Sequence, residues 1–336
     1  MDPKYKAKIG ITIGDIAGIG PEVVLKTLAD NRILHHCTPI IYGTGAAVNF
    51  YRKQLGLENF NFQIIPASDQ ALPRKVNVVN CLEEEITFTP GTPSAETGAL
   101  ARAALLKAAE DLKAGHIEAV VTAPIDKDNT QGEGFQFPGH TEFFTQYFDA
   151  PESLMFLVAD KLRVATATGH IPVKEIAGRI TPELLIRKLS ILDSSLRKDF
   201  GIQKPKIAVL GLNPHAGENG LLGAEEAEII SPVIEQLKAK GNLVFGPFPA
   251  DGFFGTRSYQ KFDATLALYH DQGLIPFKTL AFERGVNFTA GLPVVRTSPD
   301  HGTAYNIAGQ GKADETSLRE ALFTAIDILK ARTPLV

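Results

Sequence analysis

The 336-residue chain lacks several features that mark particular classes of protein. Its two cysteines, Cys37 and Cys81, are too few for a disulfide framework, and their apolar flanks predict inert core thiols. No apolar run approaches the roughly 20 residues that a membrane-spanning helix needs, and the short, charged N-terminus is not typical of a signal peptide. A formal net charge of −4 offers no basic surface to nucleic acid. We therefore expect a cytoplasmic protein that binds neither membranes nor nucleic acids.

The common nucleotide-binding signatures are also missing. The glycine-rich segment GDIAGIGPE (14–22) joins a predicted strand to a predicted helix, but its glycine spacing differs from G-x-G-x-x-G. It is not a P-loop either, because no Gly-Lys-Ser/Thr follows. Two interpretations stay open: an anion site at the start of the helix, or a tight turn whose glycines let backbones pack closely.

What the chain does contain is a regular alternation of predicted strands and helices. Short apolar segments predict buried strands at 9–14, 39–43 and 118–124. Amphipathic segments predict helices at 21–30, at 96–114, from Thr181 onward and at the C-terminal end. This order predicts an α/β fold with a largely parallel sheet and helices on both faces.

Composition marks no obvious linker between domains. The Gly/Pro-rich stretch 131–139 and the region 285–293 are the best candidate boundaries. We therefore place one domain at 1–130 plus 285–336 and the other at 131–284.

Three histidines each lie where a predicted strand ends. The segments RVATATGH, KIAVLGLNPH and DATLALYH end at His170, His215 and His270. Ligands of open α/β sheets bind beyond the carboxyl ends of the strands, and three imidazoles there could converge on a divalent metal. The alternative is three unrelated histidines, each hydrogen-bonded in its own loop.

Further polar residues could bind an anion. His140, Thr141 and Glu142 open a predicted helix, where His140 could contact a phosphate or take part in proton transfer. Lys278, Asn287 and Arg296 follow within a Gly/Pro-interspersed region. Surface charge explains most lysines and arginines, but Lys278 and Arg296 follow apolar runs, where cations usually have partners.

Eight segments together resemble the 4-hydroxythreonine-4-phosphate dehydrogenase family of vitamin B6 biosynthesis, over nearly the whole chain. They are GDIAGIGPE (14–22), VTAPIDK (121–127), GHTE (139–142), TGHIP (168–172), LNPHAGE (212–218), DGF (251–253), YHDQGLIPFK (269–278) and PDHGTAYNIAG (299–309). The resemblance implies two α/β/α domains of the isocitrate/isopropylmalate dehydrogenase type, with the active site in the cleft between them. It also implies a homodimer as the working unit.

The resemblance implies roles for particular residues. The three histidines would bind one divalent metal ion at a site built across the dimer interface. Asp251 would be an acidic active-site residue, and either it or His140 could accept the proton. The substrate-binding positions would be His140, Thr141, Lys278, Asn287 and Arg296. The loop PDHGTAYNIAG would hold NAD or NADP through His301, Gly302, Thr303, Asn306 and Gly309.

Two positions depart from the family pattern. Ile16 replaces a common proline in the first turn, which affects the stiffness of that turn more than its chemistry. Asn306 stands where an aspartate is common. A carboxylate there would bond a ribose diol and repel a 2′-phosphate, and asparagine removes the repulsion. The choice between NAD and NADP is therefore open.

The implied activity is that of a metal-dependent, NAD(P)-linked oxidoreductase of pyridoxine 5′-phosphate synthesis. It would oxidise 4-phosphooxy-L-threonine to 2-amino-3-oxo-4-phosphooxybutanoate, which decarboxylates to 3-amino-2-oxopropyl phosphate. Three histidines suit zinc, cobalt or iron, whereas magnesium would need substrate oxygens to complete its ligand set. Two alternatives remain: a paralogous dehydrogenase of threonate or erythronate 4-phosphate, and a metal-dependent phosphohydrolase.

Overall fold

The computed structural model describes residues 6–83, 86–132 and 135–333. The chain forms two compact units, which we call the first unit (Met1–Pro151 with Leu292–Lys330) and the second unit (Glu152–Gly291 with Ala331–Val336). The return to the first unit falls within the predicted region 285–293. The earlier division lies beyond the predicted stretch 131–139, of which residues 133–134 are outside the described residues.

Strands and helices alternate along most of the chain. The strands are β1 (Ala7–Thr12), β2 (Cys37–Gly43), β3 (Phe62–Ile65), β4 (Val76–Asn80), β5 (Ala119–Thr122), β6 (Leu154–Ala159), β7 (Leu162–Thr166), β8 (Lys206–Leu210), β9 (Leu243–Phe248), β10 (Ala264–Ala267), β11 (Val286–Ala290) and β12 (Val295–Pro299). The helices are α1 (Gly20–Ala29), α2 (Gly45–Gln54), α3 (Ala95–Lys113), α4 (His140–Tyr147), α5 (Ile176–Arg179), α6 (Pro182–Lys198), α7 (Ser231–Ala239), α8 (Ala250–Gly255), α9 (His270–Ala281) and α10 (Thr316–Arg332). Each predicted strand and helix is confirmed, with small differences at the ends.

The first unit contains a fully parallel sheet in the order β3-β4-β2-β1-β5-β12. This confirms the predicted parallel arrangement. The core of this unit includes Leu105 of α3 together with Phe143 and Phe144 of α4, all of them buried. Because these phenylalanines pack with α3, α4 belongs to the first unit, although our division at residue 131 placed it in the second.

The sheet of the second unit is mixed, in the order β11-β6-β7-β10-β8-β9. Strands β7, β10, β8 and β9 are parallel, as predicted, whereas β6 pairs antiparallel with both β7 and β11. A tight turn joins β6 to β7, and Asp160 adopts the left-handed conformation there, with φ 51°. Next to this hairpin, the strands β7, β10 and β8, which precede the three candidate histidines, lie side by side and parallel.

Local sequence signals explain where the long helices begin. Ser94 and Thr97 form a reciprocal capping box at the start of α3, and Thr181 accepts a hydrogen bond from Leu184 N at the start of α6. Along α6 the leucines Leu185, Leu189, Leu192 and Leu196 are all buried. Burying one such side chain contributes about 1.5–3 kcal/mol. The apolar stripe therefore secures this helix.

The two cysteines are at least partly buried, which agrees with the prediction of core thiols. Cys37 is buried and Cys81 is half-buried. Burial raises the pKa of each thiol to about 12, so that both are protonated at neutral pH. Among the helices that the structure describes, none combines the length and the apolar character that crossing a membrane requires.

Candidate functional site

The three candidate metal ligands follow three neighbouring parallel strands. His170 comes after β7, His270 after β10 and His215 after β8, and these strands are adjacent in the order β7-β10-β8. The carboxyl ends of parallel strands share one edge of the sheet, so that all three histidines are delivered to the same edge of the second unit.

His170 and His270 lie next to each other at that edge. The backbone pairing continues past the strand ends, where Ala167 N donates to Ala267 O (2.8 Å) and Thr168 N donates to Leu268 O (3.1 Å). The two imidazole centroids are 5.1 Å apart, with 45° between the ring planes. This geometry suits two ligands of one ion.

Two of the three histidines have a carboxylate beside Nδ1. His270 Nδ1 is 2.7 Å from Asp271 Oδ1, and His215 Nδ1 is 3.5 Å from Glu218 Oε2. Such contacts orient metal-binding imidazoles and leave Nε2 for the ion, so the donor set fits a divalent transition metal. Within residues 6–83, 86–132 and 135–333, no three His, Cys, Asp or Glu side chains are grouped closely enough to hold a metal. The three-histidine site therefore stays a prediction.

His215 lies in an unusual stretch of backbone. The five residues 215–219 all have positive φ, between 43° and 80°, and only Gly217 among them is a glycine. The left-handed conformation costs an L-residue roughly 1–2 kcal/mol. Because four of these five consecutive residues bear this cost, the surrounding structure must hold the loop in place.

Asp251 lies in the second unit at the start of α8 and lines a cavity of about 420 Å³. Tyr269, Asp271 and Gln272 line the same cavity, and Asp271 is the partner of His270. The cavity therefore joins the candidate acidic residue to the surroundings of one candidate metal ligand.

Arg296 and Lys127 form a cationic cluster in the first unit, and His140 lies beside them. Arg296 on β12 is 2% exposed and donates from Nε and Nη2 to Thr122 Oγ1, at 3.1 and 2.7 Å. Burial lowers the pKa of Arg296, but a guanidinium remains charged at neutral pH. Burial, Arg296 and Lys127 together hold the pKa of His140 well below 6.5. A neutral imidazole beside two cations suits the recognition of an anion.

His140 also has an unused hydrogen-bonding atom. Its Nε2 is buried and has no hydrogen-bond partner among the described residues. A buried polar atom without a partner is costly, and a bound substrate oxygen would satisfy it. Lys127 belongs to the VTAPIDK segment, but we did not single it out as a site residue. Its proximity to His140 appears only in three dimensions.

The remaining substrate-binding candidates are distributed over both units. Thr141 follows His140 in α4 of the first unit, whereas Lys278 lies on α9 and Asn287 on β11 of the second. Asn287 Oδ1 is buried without a hydrogen-bond partner in the part of the chain that the structure describes. Like His140 Nε2, it is available to a ligand.

The glycine-rich first turn supports the predicted cofactor loop. Ile19 N donates to Thr303 O at 2.9 Å, and a Cβ on Gly18 would lie 2.8 Å from the same oxygen. Further along, Glu22 Oε1 accepts from Ala313 N at 2.8 Å. These contacts favour the packing interpretation of GDIAGIGPE: its glycines approach the chain's own backbone.

Within the loop, Gly302 and Asn306 are exposed, whereas His301, Thr303 and Gly309 are half-buried. Apart from its chain neighbours, no described residue has an atom within 4 Å of the position that a Cβ on Gly302 would take. Gln54 holds the far end of the loop by donating to Gly309 O at 2.7 Å. An open, backbone-lined and anchored loop fits the adenosine part of a dinucleotide.

Tyr305 anchors the middle of this loop. Its hydroxyl lies 2.8 Å from Asp15 Oδ2 and 3.1 Å from Asp126 Oδ2. Asp15 is completely buried and also accepts from Ala17 N and Asn129 Nδ2, at 2.8 and 2.7 Å. Burial and the two carboxylates raise the pKa of Tyr305, so the phenol stays protonated and donates. The sequence does not reveal this network, because 290 positions separate Asp15 from Tyr305.

Comparison with known proteins gives one consistent family. The sequence model described as "Pyridoxal phosphate biosynthetic protein PdxA" matches residues 35–325. A 4-hydroxythreonine-4-phosphate dehydrogenase of Bacteroides thetaiotaomicron is 51% identical over 328 residues, which covers 97% of this chain and 90% of that protein. The crystal structure of the Klebsiella pneumoniae protein of the same name has a TM-score of 0.82 at 35% identity, covering 98% of this chain and 99% of that one.

Two further relatives bear on substrate and fold. A D-threonate 4-phosphate dehydrogenase of Cupriavidus necator is 40% identical, covering 98% of this chain and 99% of that protein. A β-decarboxylating dehydrogenase of Thermococcus kodakarensis has a TM-score of 0.51 at 14% identity, covering 96% of this chain and 84% of that one. The latter likeness concerns the fold alone and agrees with the predicted fold class.

We expect His140 to make stability depend on pH. Its pKa is lowered in the folded protein, so below about pH 6.5 the unfolded chain binds more protons. The stability associated with neutral His140 is therefore present above that pH and is lost as the pH falls. Denaturant unfolding between about pH 7 and pH 5 should show a shallower decline for His140→Asn than for the parent. Parallel declines would contradict this assignment.

We expect Tyr305→Phe to weaken binding of NAD(P) because the loop loses its central anchor. Loss of a hydrogen bond to a charged group costs about 1.5–3 kcal/mol. The unfolding free energy should fall by about this amount, and titration should show a higher cofactor Kd. The matched control is Tyr42→Phe, which loses the same kind of phenol–carboxylate hydrogen bond, to Asp111 Oδ2 at 2.8 Å, outside the Asp15 network. If both variants lose stability while the cofactor Kd of Tyr305→Phe stays at the parent value, the anchor is irrelevant to the cofactor.

Proposed function

The chain belongs to the pyridoxal phosphate biosynthetic protein PdxA family, and from this premise we propose that it oxidises 4-phosphooxy-L-threonine with NAD or NADP. The secondary alcohol loses its hydroxyl proton and the hydrogen on the adjoining carbon leaves as hydride, giving 2-amino-3-oxo-4-phosphooxybutanoate. This β-keto acid then loses CO₂ to form 3-amino-2-oxopropyl phosphate. The observation that carries the proposal is the delivery of three histidines to one sheet edge by neighbouring strands, in a chain of this family.

The histidines of the second unit are proposed to hold one divalent ion, with zinc, cobalt, iron and magnesium as the candidates. When bound, the ion would supply Lewis acidity to the reacting oxygen. The chain's own contribution is orientation: the hydrogen bond to Asp271 orients the His270 ring, and Glu218 lies 3.5 Å from Nδ1 of His215.

The loop at 299–309 is proposed to hold the nicotinamide cofactor. When bound, NAD(P) supplies a hydride acceptor that no side chain provides. The chain contributes the exposed backbone around Gly302 and the anchors at Tyr305 and Gly309. Asn306 is exposed on the same loop and places no carboxylate against a 2′-phosphate.

The substrate-binding residues are proposed to be His140, Thr141, Lys278, Asn287 and Arg296, with Arg296 contacting an anionic group of the substrate. Thr122 holds the Arg296 guanidinium in place, and the free Nε2 of His140 offers a further contact. The lowered pKa keeps His140 unprotonated at neutral pH, and His140 and Asp251 are both candidate proton acceptors.

We further propose that the working unit is a homodimer with the metal site at its interface. Helix α9 begins with His270 and exposes Ile275 and Leu280, which are 65% and 47% exposed. Large apolar side chains at the surface often mark contacts between subunits. A second copy covering α9 would also reach the surroundings of His270.

Threonate 4-phosphate is a second candidate substrate, because the Cupriavidus necator relative is named a D-threonate 4-phosphate dehydrogenase. The two substrates differ in an amino or a hydroxyl group at C2, and both leave the phosphate and the reacting alcohol in place. The same cationic cluster and the same three candidate metal ligands would serve either substrate.

We expect turnover to require both a divalent metal and a nicotinamide cofactor. Chelator-stripped protein should be assayed at 340 nm with both substrates, both cofactors and added zinc, cobalt or magnesium. We expect reduction of cofactor with 4-phosphooxy-L-threonine only after metal is restored. Release of inorganic phosphate without cofactor reduction would instead indicate a phosphohydrolase, and faster turnover of threonate 4-phosphate would reassign the substrate.

We expect Arg296→Lys to weaken substrate binding, since lysine cannot reproduce the forked contacts of a guanidinium. The loss of a charge-assisted contact of about 1.5–3 kcal/mol corresponds to roughly a 10- to 100-fold rise in substrate KM. Steady-state kinetics should show a smaller change in kcat. Arg319→Lys is the matched control, because Arg319 on α10 pairs with Glu315, the residue that precedes this helix. An unchanged KM in Arg296→Lys would remove this residue from the substrate site.

A further inference from the structure

The loop that carries His215 closes around a buried carboxylate. Glu226 is 5% exposed, and its Oε1 accepts from Leu212 N and Asn213 N, both at 2.7 Å. Its Oε2 accepts from Asn213 Nδ2 at 3.0 Å. All three donors belong to the two residues that directly precede Pro214 and His215. The carboxylate therefore holds the backbone where it enters the left-handed stretch.

The loop also packs tightly against Glu226 on its far side. A Cβ on Gly217 would lie 2.6 Å from Glu226 Oε2, and one on Gly211 would lie 3.2 Å from Oε1. Glycine at 217 thus lets the left-handed stretch fold back over the carboxylate. Both ends of the loop depend on the same side chain.

The backbone that carries Glu226 is itself distinctive. Glu226 begins a single π-helical turn, Glu226–Ile230, directly before α7. Such turns within helices often occur at functional sites. Ile230, at the other end of the turn, is completely buried and fixes it to the core of the second unit. Glu226 is therefore a rigidly placed group.

We propose that Glu226 is a positioning residue for the metal: it fixes the left-handed loop that presents His215, without itself binding the ion. The inference rests on the proposed metal site and goes beyond it, because it makes the protein's affinity for the metal depend on a residue that is not a ligand. Its two oxygens are already engaged by the loop, which leaves the imidazole as the group that the loop offers to an ion.

The chain offers a matched control in the neighbouring carboxylate. Glu225 Oε2 accepts from Asn213 Nδ2 at 2.8 Å, and none of the backbone amides before His215 is among its partners in the described hydrogen bonds. Glu226→Gln keeps one oxygen for the two backbone amides but places an NH₂ group against Asn213 Nδ2, so two donors face each other. Glu225→Gln makes the same chemical change without touching those amides.

The test measures binding of cobalt(II) to the chelator-stripped, full-length protein by calorimetry. Loss of an outer contact that orients a ligand typically weakens metal binding by about 10- to 100-fold. We expect that rise in Kd for Glu226→Gln and less than about a threefold rise for Glu225→Gln. His215→Ala serves as the reference for complete loss of the ligand.

A second measurement separates positioning from general stability. In metal-free protein, hydrogen exchange at the amides of Leu212 and Asn213 should be faster in Glu226→Gln than in the parent, while amides of α6 keep their protection. If Glu226→Gln fails to fold, the shorter Glu226→Asp is used, which retains the charge and lengthens the contacts to the two amides.

The outcomes distinguish this inference from the proposed function. A parent protein that binds cobalt(II), together with a Glu226 variant of unchanged Kd and faster loop exchange, overturns the positioning role and leaves the metal site standing. A parent that binds no cobalt(II), or a His215→Ala variant with parental affinity, overturns the metal site and the positioning role together.

Discussion

The candidate site of the second unit depends on parallel pairing between β7, β10 and β8. Parallel strands end at one edge of their sheet, and here the backbone pairing of β7 with β10 continues beyond both strands to Thr168 and Leu268. The imidazoles of His170 and His270 become neighbours through this ladder, with their centroids 5.1 Å apart. A slip of one residue would turn every side chain of a strand to the opposite face, so the hydrogen-bond register fixes the ligand geometry.

Buried carboxylates organise the loops that extend from these sheets. Asp15 in the first unit accepts from one backbone N–H group and Glu226 in the second from two, and each also accepts from an asparagine side chain. A buried carboxylate is costly unless its oxygens are satisfied, so each one dictates where the surrounding loop must lie. Because each buried carboxylate must keep its hydrogen bonds, the loop residues that face a ligand are held in defined positions.

Much of this arrangement could be predicted from local patterns. Apolar runs predicted the strands that precede the histidines, and Ser94 and Thr181 follow the ordinary rules for helix caps. The hairpin between β6 and β7 escaped prediction, because an apolar run does not reveal which neighbour it pairs with. The contact of Tyr305 with Asp15 also escaped, since it joins residues 290 positions apart and neither residue is unusual in its own segment. The left-handed stretch at 215–219 has only one glycine to signal it.

The proposed cofactor loop and the proposed metal ligands lie in different units. Cofactor affinity and metal affinity can therefore be measured separately. The cofactor loop and the cationic cluster belong to the first unit. The three candidate metal ligands, Asp251 and Glu226 belong to the second. Changes at Asp15 or Tyr305 act on a loop that contains none of the three candidate metal ligands, and changes at Glu226 act on a loop that contains none of the cofactor residues. Cofactor affinity and metal affinity should therefore respond to different substitutions, because each depends on a buried carboxylate within its own unit.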